Sequence, residues 1–314
     1  MQYINELRDG EMIKEIYLCK QKQTLQTKAG KSYYSLILQD KTGTIDAKVW
    51  DLNNGIGHFE PMDYIEVNAQ VILYQGNPQL NVRQIRKADE GEYTISDYMP
   101  CSPFDTEQMY QELLALIASV KETHLHQLLE DFFVNDAAFI QNFKKHSAAK
   151  SIHHGFIGGL LQHTLAVTRL CDYMASQYPA IHRDLLITAA ICHDIGKIYE
   201  ISDFPENDYT DEGQLIGHIV KGTMMVEEKI QSIDGFPVKL GNELKHCILA
   251  HHGELEFGSP KKPALIEAVA LSFADNTDAK LQTFTETLNG TTNTDWLGYN
   301  RLFESNIRAT SKPE

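Results

Sequence analysis

The chain has 314 residues, of which 42% are hydrophobic and 23% are charged, which is typical of a folded protein with room for two domains. Its net charge of −15 excludes a protein that coats nucleic acid indiscriminately. No run reaches the roughly 18 apolar residues of a membrane span. The N-terminal stretch MQYINELRDGE lacks the apolar region of a secretory signal, so we expect neither a membrane segment nor export.

The charge differs between the two parts of the chain. Residues 1–100 have 11 Lys and Arg against 14 Asp and Glu, a net −3, and the remainder carries −12. Within residues 14–48, seven basic residues stand against three acidic ones. Nucleic acid is therefore expected to contact the N-terminal part first.

Between about residues 12 and 87 the apolar residues alternate with period two, as they do in β-strands. In TGTIDAKVW, Ile45 and Val49 point to one side, whereas Lys48 and Trp50 point to the other. Five such strands predict a small barrel. The phrase LQDKTGTIDAKVWD resembles the OB-fold, in which strands 2 and 3 form a nucleic-acid-binding face.

The predicted binding face combines aromatic side chains that stack on bases with cations that contact phosphates. Its members are Tyr33, Lys48 and Trp50, extended by Arg83 and Arg86 in the last strand. The alternative interpretation is that Trp50 closes one end of the barrel and that the lysines are only solvated. Because these residues are expected on one face, the sequence favours binding of single-stranded nucleic acid.

The stretch ADEGEYTISDYMPCSPFD has no periodicity, and after it the apolar residues recur at the three- and four-residue spacing of helices. The fold class is therefore multi-domain, an all-β OB-fold barrel followed by an all-α domain. We expect a barrel domain, a linker, a helical domain and a C-terminal tail at residues 1–90, 91–105, 106–288 and 289–314.

The segment AAICHDIGK places His193 and Asp194 at the end of an apolar helix, where burying them costs free energy unless partners compensate. Asp184 is predicted as the N-cap of this helix and Gly196 as its stop. The neighbouring predicted helices carry further polar residues in apolar surroundings: His163, His218, His251, His252 and Asp275.

A single histidine on an apolar helix is more often a hydrogen-bonded core residue than a ligand. One imidazole or carboxylate in each of five successive helices instead favours a site for one or two divalent ions. The set contains no cysteine, which argues against a structural zinc site. Its many nitrogen ligands favour a transition metal over magnesium.

The order H…HD…H…HH…D, from about His153 to Asp275, resembles the HD-domain metal-dependent phosphohydrolases. The resemblance implies that the helices converge on a metal centre in which the aspartate of the HD pair bridges two ions. It assigns the first ion to His163, His193, Asp194 and Asp275, and the second to Asp194, His218 and His251. It leaves His252 either as a ligand in place of His251 or as a residue that orients a ligand.

An OB-like domain followed by this HD domain resembles the YhaM-type 3′→5′ exoribonucleases of Gram-positive bacteria. The resemblance implies Mn²⁺, with iron, cobalt or magnesium as alternatives, and hydrolysis of single-stranded RNA to nucleoside 5′-monophosphates by a hydroxide that bridges the two ions. Single-stranded DNA is a further substrate that the sequence does not separate from RNA. A homo-oligomer is compatible with the sequence.

Three residues near this set have open roles. Lys197 either neutralises a phosphate oxygen in catalysis or complements a helix dipole. His153 and His154 either contact the scissile phosphate and leaving oxygen or are loop histidines with little effect, and His153 is also a candidate for orienting a ligand.

The acidic helical part is the main objection to an RNA substrate. A second hypothesis is therefore a nucleotide or cyclic-dinucleotide phosphohydrolase with a regulatory OB-like domain. A third is a single-strand-binding protein with an inactive HD domain, which the complete ligand set disfavours.

The scattered cysteines, an odd number without a CxxC pair, indicate reduced thiols and a cytoplasmic location: Cys19, Cys101, Cys171, Cys192 and Cys247.

Overall fold

The computed structural model describes residues 1–150, 154–289 and 295–311. The chain divides into two compact units, Met1–Cys101 and Ser102–Glu314. The first unit is a β-barrel and the second is built from helices, which confirms the predicted fold class. The domain limits drawn from the sequence remain predictions.

Five strands form the barrel of the first unit: β1 (Met12–Gln26), β2 (Ser32–Asp40), β3 (Gly43–Val49), β4 (Tyr64–Tyr74) and β5 (Asn77–Lys87). They close in the order β1-β2-β3-β5-β4, and only β3 and β5 run parallel. This is the five-stranded barrel of the OB-fold. A short 3₁₀ helix, Ile95–Asp97, follows it within the predicted linker.

In β3, the side chains that the alternation predicts to point to one side face the barrel interior. Ile45, Ala47 and Val49 are at most 3% exposed, and they pack against apolar residues from the other strands. A slip of one residue in register would turn these side chains outwards and the polar ones inwards. The interior also contains Tyr17, Leu36, Leu38, Ile65, Val67 and Leu80.

The second unit is helical: α1 (Thr106–Ala118), α2 (Thr123–Phe133), α3 (Ala137–Lys145), α4 (Gly159–Gln177), α5 (Arg183–Cys192), α6 (Lys197–Glu200), α7 (Asp211–Ile216), α8 (His218–Ser232), α9 (Val238–Leu249) and α10 (Ile266–Asn289). A 3₁₀ helix spans Leu255–Phe257. The chain ends with an antiparallel pair that the sequence did not indicate, β6 (Trp296–Asn300) and β7 (Ser305–Arg308). Within the described ranges, no helix is long and apolar enough to cross a membrane.

Helix α5 forms the centre of the helical unit. Every residue from Leu185 to Cys192 is buried, as expected for a helix that is apolar on all sides. Helices α4, α9 and α10 pack against it. The residues that follow Cys192 therefore emerge in the middle of the unit.

The predicted N-cap of α5 is wrong. His182 caps the helix, because its Nδ1 accepts a hydrogen bond from the Leu185 N–H at 3.1 Å. Asp184 lies in the first turn, where its carboxylate accepts a hydrogen bond from the Glu122 N–H at 2.8 Å. It therefore stabilises the segment that begins α2 rather than the end of its own helix.

Replacing Leu36 by Ala should weaken the barrel, because this side chain has no exposed surface. We expect Leu36→Ala to lower the free energy of unfolding of the barrel by about 2–5 kcal/mol. The matched control is Leu73→Ala, where the leucine is 57% exposed and the change should stay within about 0.5 kcal/mol. Urea denaturation followed by Trp50 fluorescence in a Trp296→Phe background measures both, and equal effects would place Leu36 outside the interior.

Candidate metal centre

The side chains of the six predicted ligands converge around the end of α5. Four of them, His163, His193, Asp194 and His251, are at most 1% exposed. The six come from five parts of the helical unit: His163 from α4, His193 and Asp194 from the turn after α5, His218 from the start of α8, His251 from the turn after α9 and Asp275 from α10.

One oxygen of the Asp194 carboxylate faces a first group of donors. Oδ2 lies 3.4 Å from Nε2 of His163 and 3.4 Å from Nε2 of His193. Oδ1 of Asp275 is 3.1 Å from the same His163 nitrogen. Atoms that each bind one ion at about 2.1 Å lie roughly 3–3.5 Å from one another. The first group therefore has the spacing of a single divalent-ion site.

The other oxygen, Asp194 Oδ1, faces a second group. It lies 3.5 Å from Nε2 of His218 and 3.7 Å from Nε2 of His251. Among the residues that the structure describes, these three buried atoms have no hydrogen-bond partner. Leaving a buried polar atom unpaired costs roughly 1–3 kcal/mol, which an ion bound by all three would offset. Donor atoms of His252 also lie within 4.8 Å of those of His218 and His251.

Asp194 is ionised although it is buried. Burial raises the pKa of its carboxyl group, but the Lys197 ammonium, whose Nζ is 2.6 Å from Oδ2, and His193 outweigh this and hold the pKa well below its usual range. Burial, together with His252 and His193, lowers the pKa of His251 well below the ordinary histidine value. An ionised carboxylate and a neutral imidazole are the forms that bind cations.

Carboxylates surround His163. Burial disfavours the charged imidazole, but the neighbouring carboxylates of Asp194, Asp275 and Asp278 outweigh burial and raise the pKa of His163 well above its ordinary value. The excess of negative charge around this ring is what a bound cation would neutralise. The chemistry of both groups therefore fits divalent metal ions.

The sequence analysis missed two carboxylates that hold the far nitrogens of site histidines. Asp278 Oδ2 lies 2.6 Å from Nδ1 of His163, and Glu200 Oε1 lies 2.9 Å from Nδ1 of His218. Asp278 follows Asp275 by three residues on α10, so helical spacing was a usable signal for it. No periodicity marks Glu200, which belongs to the four-residue helix α6.

Three of the barrel residues predicted to bind nucleic acid lie close together, and the two arginines of β5 form a second group. Tyr33 and Trp50 stack with their ring centroids 4.6 Å apart, and Trp50 is 43% exposed, so it does not plug the barrel. Lys48 lies near them on β3, with Nζ 2.7 Å from Ser35 Oγ and 3.0 Å from the Asp46 carboxylate.

The arginines of β5 differ from each other in their surroundings. The Arg86 guanidinium donates to Glu66 at 2.8 Å and to Glu92 at 2.7 Å. Arg83 is exposed. Both arginines are therefore at the surface, but Arg86 is paired with Glu66 of β4 and with Glu92 in the segment after β5.

Comparison with known proteins assigns the family. The profile of the HD domain matches residues 160–280. The 3′-5′ exoribonuclease YhaM of Geobacillus sp. (strain WCH70) is 34% identical over 277 residues, covering 87% of this chain and 83% of that protein. The protein of the same name from Listeria monocytogenes serotype 4b (strain CLIP80459) is 35% identical over 289 residues, covering 90% of each. The chain belongs to the YhaM family. The family resemblance seen in the sequence is thus confirmed, and its HD domain implies dependence on divalent metal.

Solved structures resemble the barrel of this YhaM-family chain. The second OB-fold domain of replication protein A from Methanococcus maripaludis is 22% identical, covering 30% of this chain and 100% of that one, with a TM-score of 0.24. An OB domain from Thermoplasma acidophilum is 17% identical, covering 29% and 90%, with a TM-score of 0.23. The OB-fold assignment itself follows from the strand order of the barrel.

The remaining predicted residues of the YhaM-family centre lie at its edge. His154 is buried, and its Nε2 is 2.9 Å from Asp278 Oδ2. Nδ1 of His252 is 2.8 Å from the Phe257 carbonyl oxygen. His153 lies outside the described residues.

Gly196 lets the turn after Asp194 touch the start of α8. A Cβ atom at Gly196 would lie 2.1 Å from the His218 carbonyl oxygen and 2.7 Å from the Gly222 nitrogen. The backbone of Gly196 is in the ordinary helical region, with φ −65°, so close approach rather than conformational freedom requires glycine here. This contact brings His218 close to Asp194.

Gly196→Ala should therefore destabilise the helical unit. Forcing α8 away from the turn should cost about 1–3 kcal/mol, measured by urea denaturation followed by circular dichroism. The control is Gly241→Ala inside α9, where the new Cβ would make an ordinary 3.4 Å contact with Ile230 and better helix propensity should add up to about 1 kcal/mol. A Gly196→Ala protein as stable as the wild type would show that this contact does not set the position of α8.

Proposed function

We propose that the chain is a metal-dependent 3′→5′ exoribonuclease that hydrolyses single-stranded RNA at a two-ion centre. The observation that supports the proposal most directly is that the two oxygens of the Asp194 carboxylate face separate groups of imidazole and carboxylate donors. Membership of the YhaM family supports RNA as the substrate.

The ligand sets follow the two oxygens of Asp194. We assign one ion to the donors around Oδ2 and a second to those around Oδ1, with Asp194 shared. His252 lies close enough to the second set to complete it. The sets are His163, His193, Asp194 and Asp275 for the first ion, and Asp194, His218 and His251 for the second.

Bound divalent ions supply a nucleophile by lowering the pKa of water and clamp the phosphoryl oxygens for in-line displacement. The residues of the chain supply the charge, the burial and the positioning that this chemistry requires. Asp194 and Asp275 provide the negative charge that holds two cations close together, and the burial of the site excludes bulk water. Lys197 fixes a positive charge 2.6 Å from Asp194 Oδ2, where it holds the shared carboxylate in place and offers charge to a phosphate oxygen. The products are nucleoside 5′-monophosphates.

The OB-fold barrel supplies the proposed binding face for the single strand. Trp50 stacks on Tyr33 with one ring face and is 43% exposed, which suits stacking on a base. Lys48 adds a cation beside them, although it is partly neutralised by Asp46. Stacking does not distinguish sugars, so single-stranded DNA is a second substrate in this proposal.

Manganese is the proposed metal, because imidazole-rich sites bind transition ions better than magnesium. All five cysteines are free, which accords with the proposed cytoplasmic location.

The proposed activity is tested with a 5′-labelled single-stranded RNA and Mn²⁺. We expect stepwise shortening from the 3′ end, release of 5′-monophosphates seen by chromatography, and complete loss of activity with a chelator. Asp194→Asn should lower the rate at least about 1,000-fold, a loss of roughly 4 kcal/mol of transition-state stabilisation. The control Asp172→Asn, at a carboxylate paired with Arg183, should retain activity.

Two results would contradict the proposal. Inertness towards RNA with hydrolysis of nucleotides or cyclic dinucleotides would favour the phosphohydrolase hypothesis. Tight binding of RNA without hydrolysis in the presence of Mn²⁺ would favour a single-strand-binding protein.

The binding face is tested separately, in the Asp194→Asn background so that RNA survives. Trp50→Ala should lower the affinity for single-stranded RNA by about 1–3 kcal/mol, the value of one stacked base, without changing the salt dependence. Lys48→Ala should reduce the slope of log K against log salt by about 0.7. The control is Leu73→Ala, an exposed apolar residue of the same barrel. Unchanged affinity in Trp50→Ala, measured by fluorescence anisotropy, would place the binding face elsewhere.

A further inference from the structure

The four buried or half-buried histidines that face Asp194 differ in what holds their far nitrogen. Nδ1 of His193 and Nδ1 of His251 each lie 2.7 Å from a backbone carbonyl oxygen of their own segment. Nδ1 of His163 and of His218 instead lie against carboxylates. Each proposed ion thus has one histidine held by a neutral acceptor and one held by a charged acceptor.

A carboxylate behind a metal-binding histidine has a specific effect. It fixes the proton on Nδ1, points the Nε2 lone pair at the ion and makes that nitrogen a stronger donor. A carbonyl fixes the same tautomer without adding charge. Losing such a carboxylate partner typically costs 10–100-fold in metal affinity.

The two carboxylates are held by other parts of the helical unit. Asp278 Oδ2 also accepts from Nε2 of the buried His154 at 2.9 Å. Glu200 Oε1 also accepts from the backbone N–H of His218 at 3.0 Å. The Glu200 carbonyl oxygen accepts a hydrogen bond from the Thr210 N–H at 3.0 Å and packs closely against Gly213, where a Cβ would lie 2.2 Å from it.

Asp278 and Glu200 contact histidines that face different oxygens of Asp194. Asp278 contacts His163, whose Nε2 faces Oδ2. Glu200 contacts His218, whose Nε2 faces Oδ1. No described contact joins either carboxylate to the histidine of the other group. Each carboxylate therefore contacts a site histidine of one group alone.

We propose that Asp278 and Glu200 are positioning residues, each of which sets the affinity of one ion. Asp278 acts through His163 on the ion near Oδ2, and Glu200 acts through His218 on the ion near Oδ1. This inference rests on the two-ion centre of the proposed function. It makes the affinities of the two sites separately adjustable.

The first test is Mn²⁺ binding by the full-length protein, measured by titration calorimetry and by metal analysis after dialysis. Asp278→Asn and Glu200→Gln keep the size of the side chain and remove its charge. Each should bind one ion as the wild type does and the other 10–100-fold more weakly. The matched controls, Asp172→Asn on α4 and Glu227→Gln on α8, remove carboxylates that pair with Arg183 and Lys245 and should bind both ions normally.

Double variants identify which ion each carboxylate serves. His163→Ala should retain one ion, and adding Asp278→Asn to it should change nothing further, because the two residues act on the same ion. Adding Glu200→Gln to His163→Ala should weaken the remaining ion. The Glu200 variants test the proposal by themselves, so it stays testable even where Asp278→Asn does not fold.

The outcomes separate this inference from the proposed function. Two ions in the wild type with unchanged affinities in both single variants would overturn the positioning roles alone. Equal weakening of both ions by one substitution would overturn the division between sites and indicate a general structural role. Fewer than two ions in the wild type would overturn the two-ion centre and this inference together.

Discussion

A carboxylate with almost no exposed surface must be surrounded by cationic or proton-donating groups, because desolvating it costs several kcal/mol. Asp194 is 1% exposed, and the helical unit is arranged around it. Helix α5, buried from Leu185 to Cys192, runs through the centre and places Asp194 in the middle of the unit. The Lys197 ammonium and imidazoles from α4, α8 and the turn after α9 then supply the groups that compensate its charge, and Gly196 admits the start of α8.

The packing of helices around Asp194 also creates the candidate metal sites. Helices that approach Asp194 from different sides present separate donors to its two oxygens, so one buried charge defines two sites. The metal-binding capacity thus resides in the acidic helical unit, which carries most of the net charge of −15. The barrel offers an aromatic surface at Tyr33 and Trp50. In the proposed enzyme, recognition and hydrolysis are therefore divided between two units with different charge.

The sequence revealed what depends on local pattern. Alternation located the barrel strands, and polar residues in apolar helices pointed to the residues that converge around Asp194. It could not reveal contacts made by ordinary-looking polar positions. Glu200 is one of 43 acidic residues, and only the folded chain shows that it contacts His218. Asp184 looked like an N-cap because its tertiary partner, the segment before α2, is about 60 residues away. Arg86 was predicted to extend the binding face, and the sequence did not show that its guanidinium pairs with Glu66 and Glu92 from other segments.

The central claim is that the two oxygens of Asp194 bind two different ions. Crystals grown with Mn²⁺ and measured at the manganese absorption edge test it most directly. We expect two anomalous peaks, one between Asp194 Oδ2 and the imidazoles of His163 and His193, and one between Oδ1 and those of His218 and His251. A single peak, or peaks that Asp194 does not contact, would contradict it.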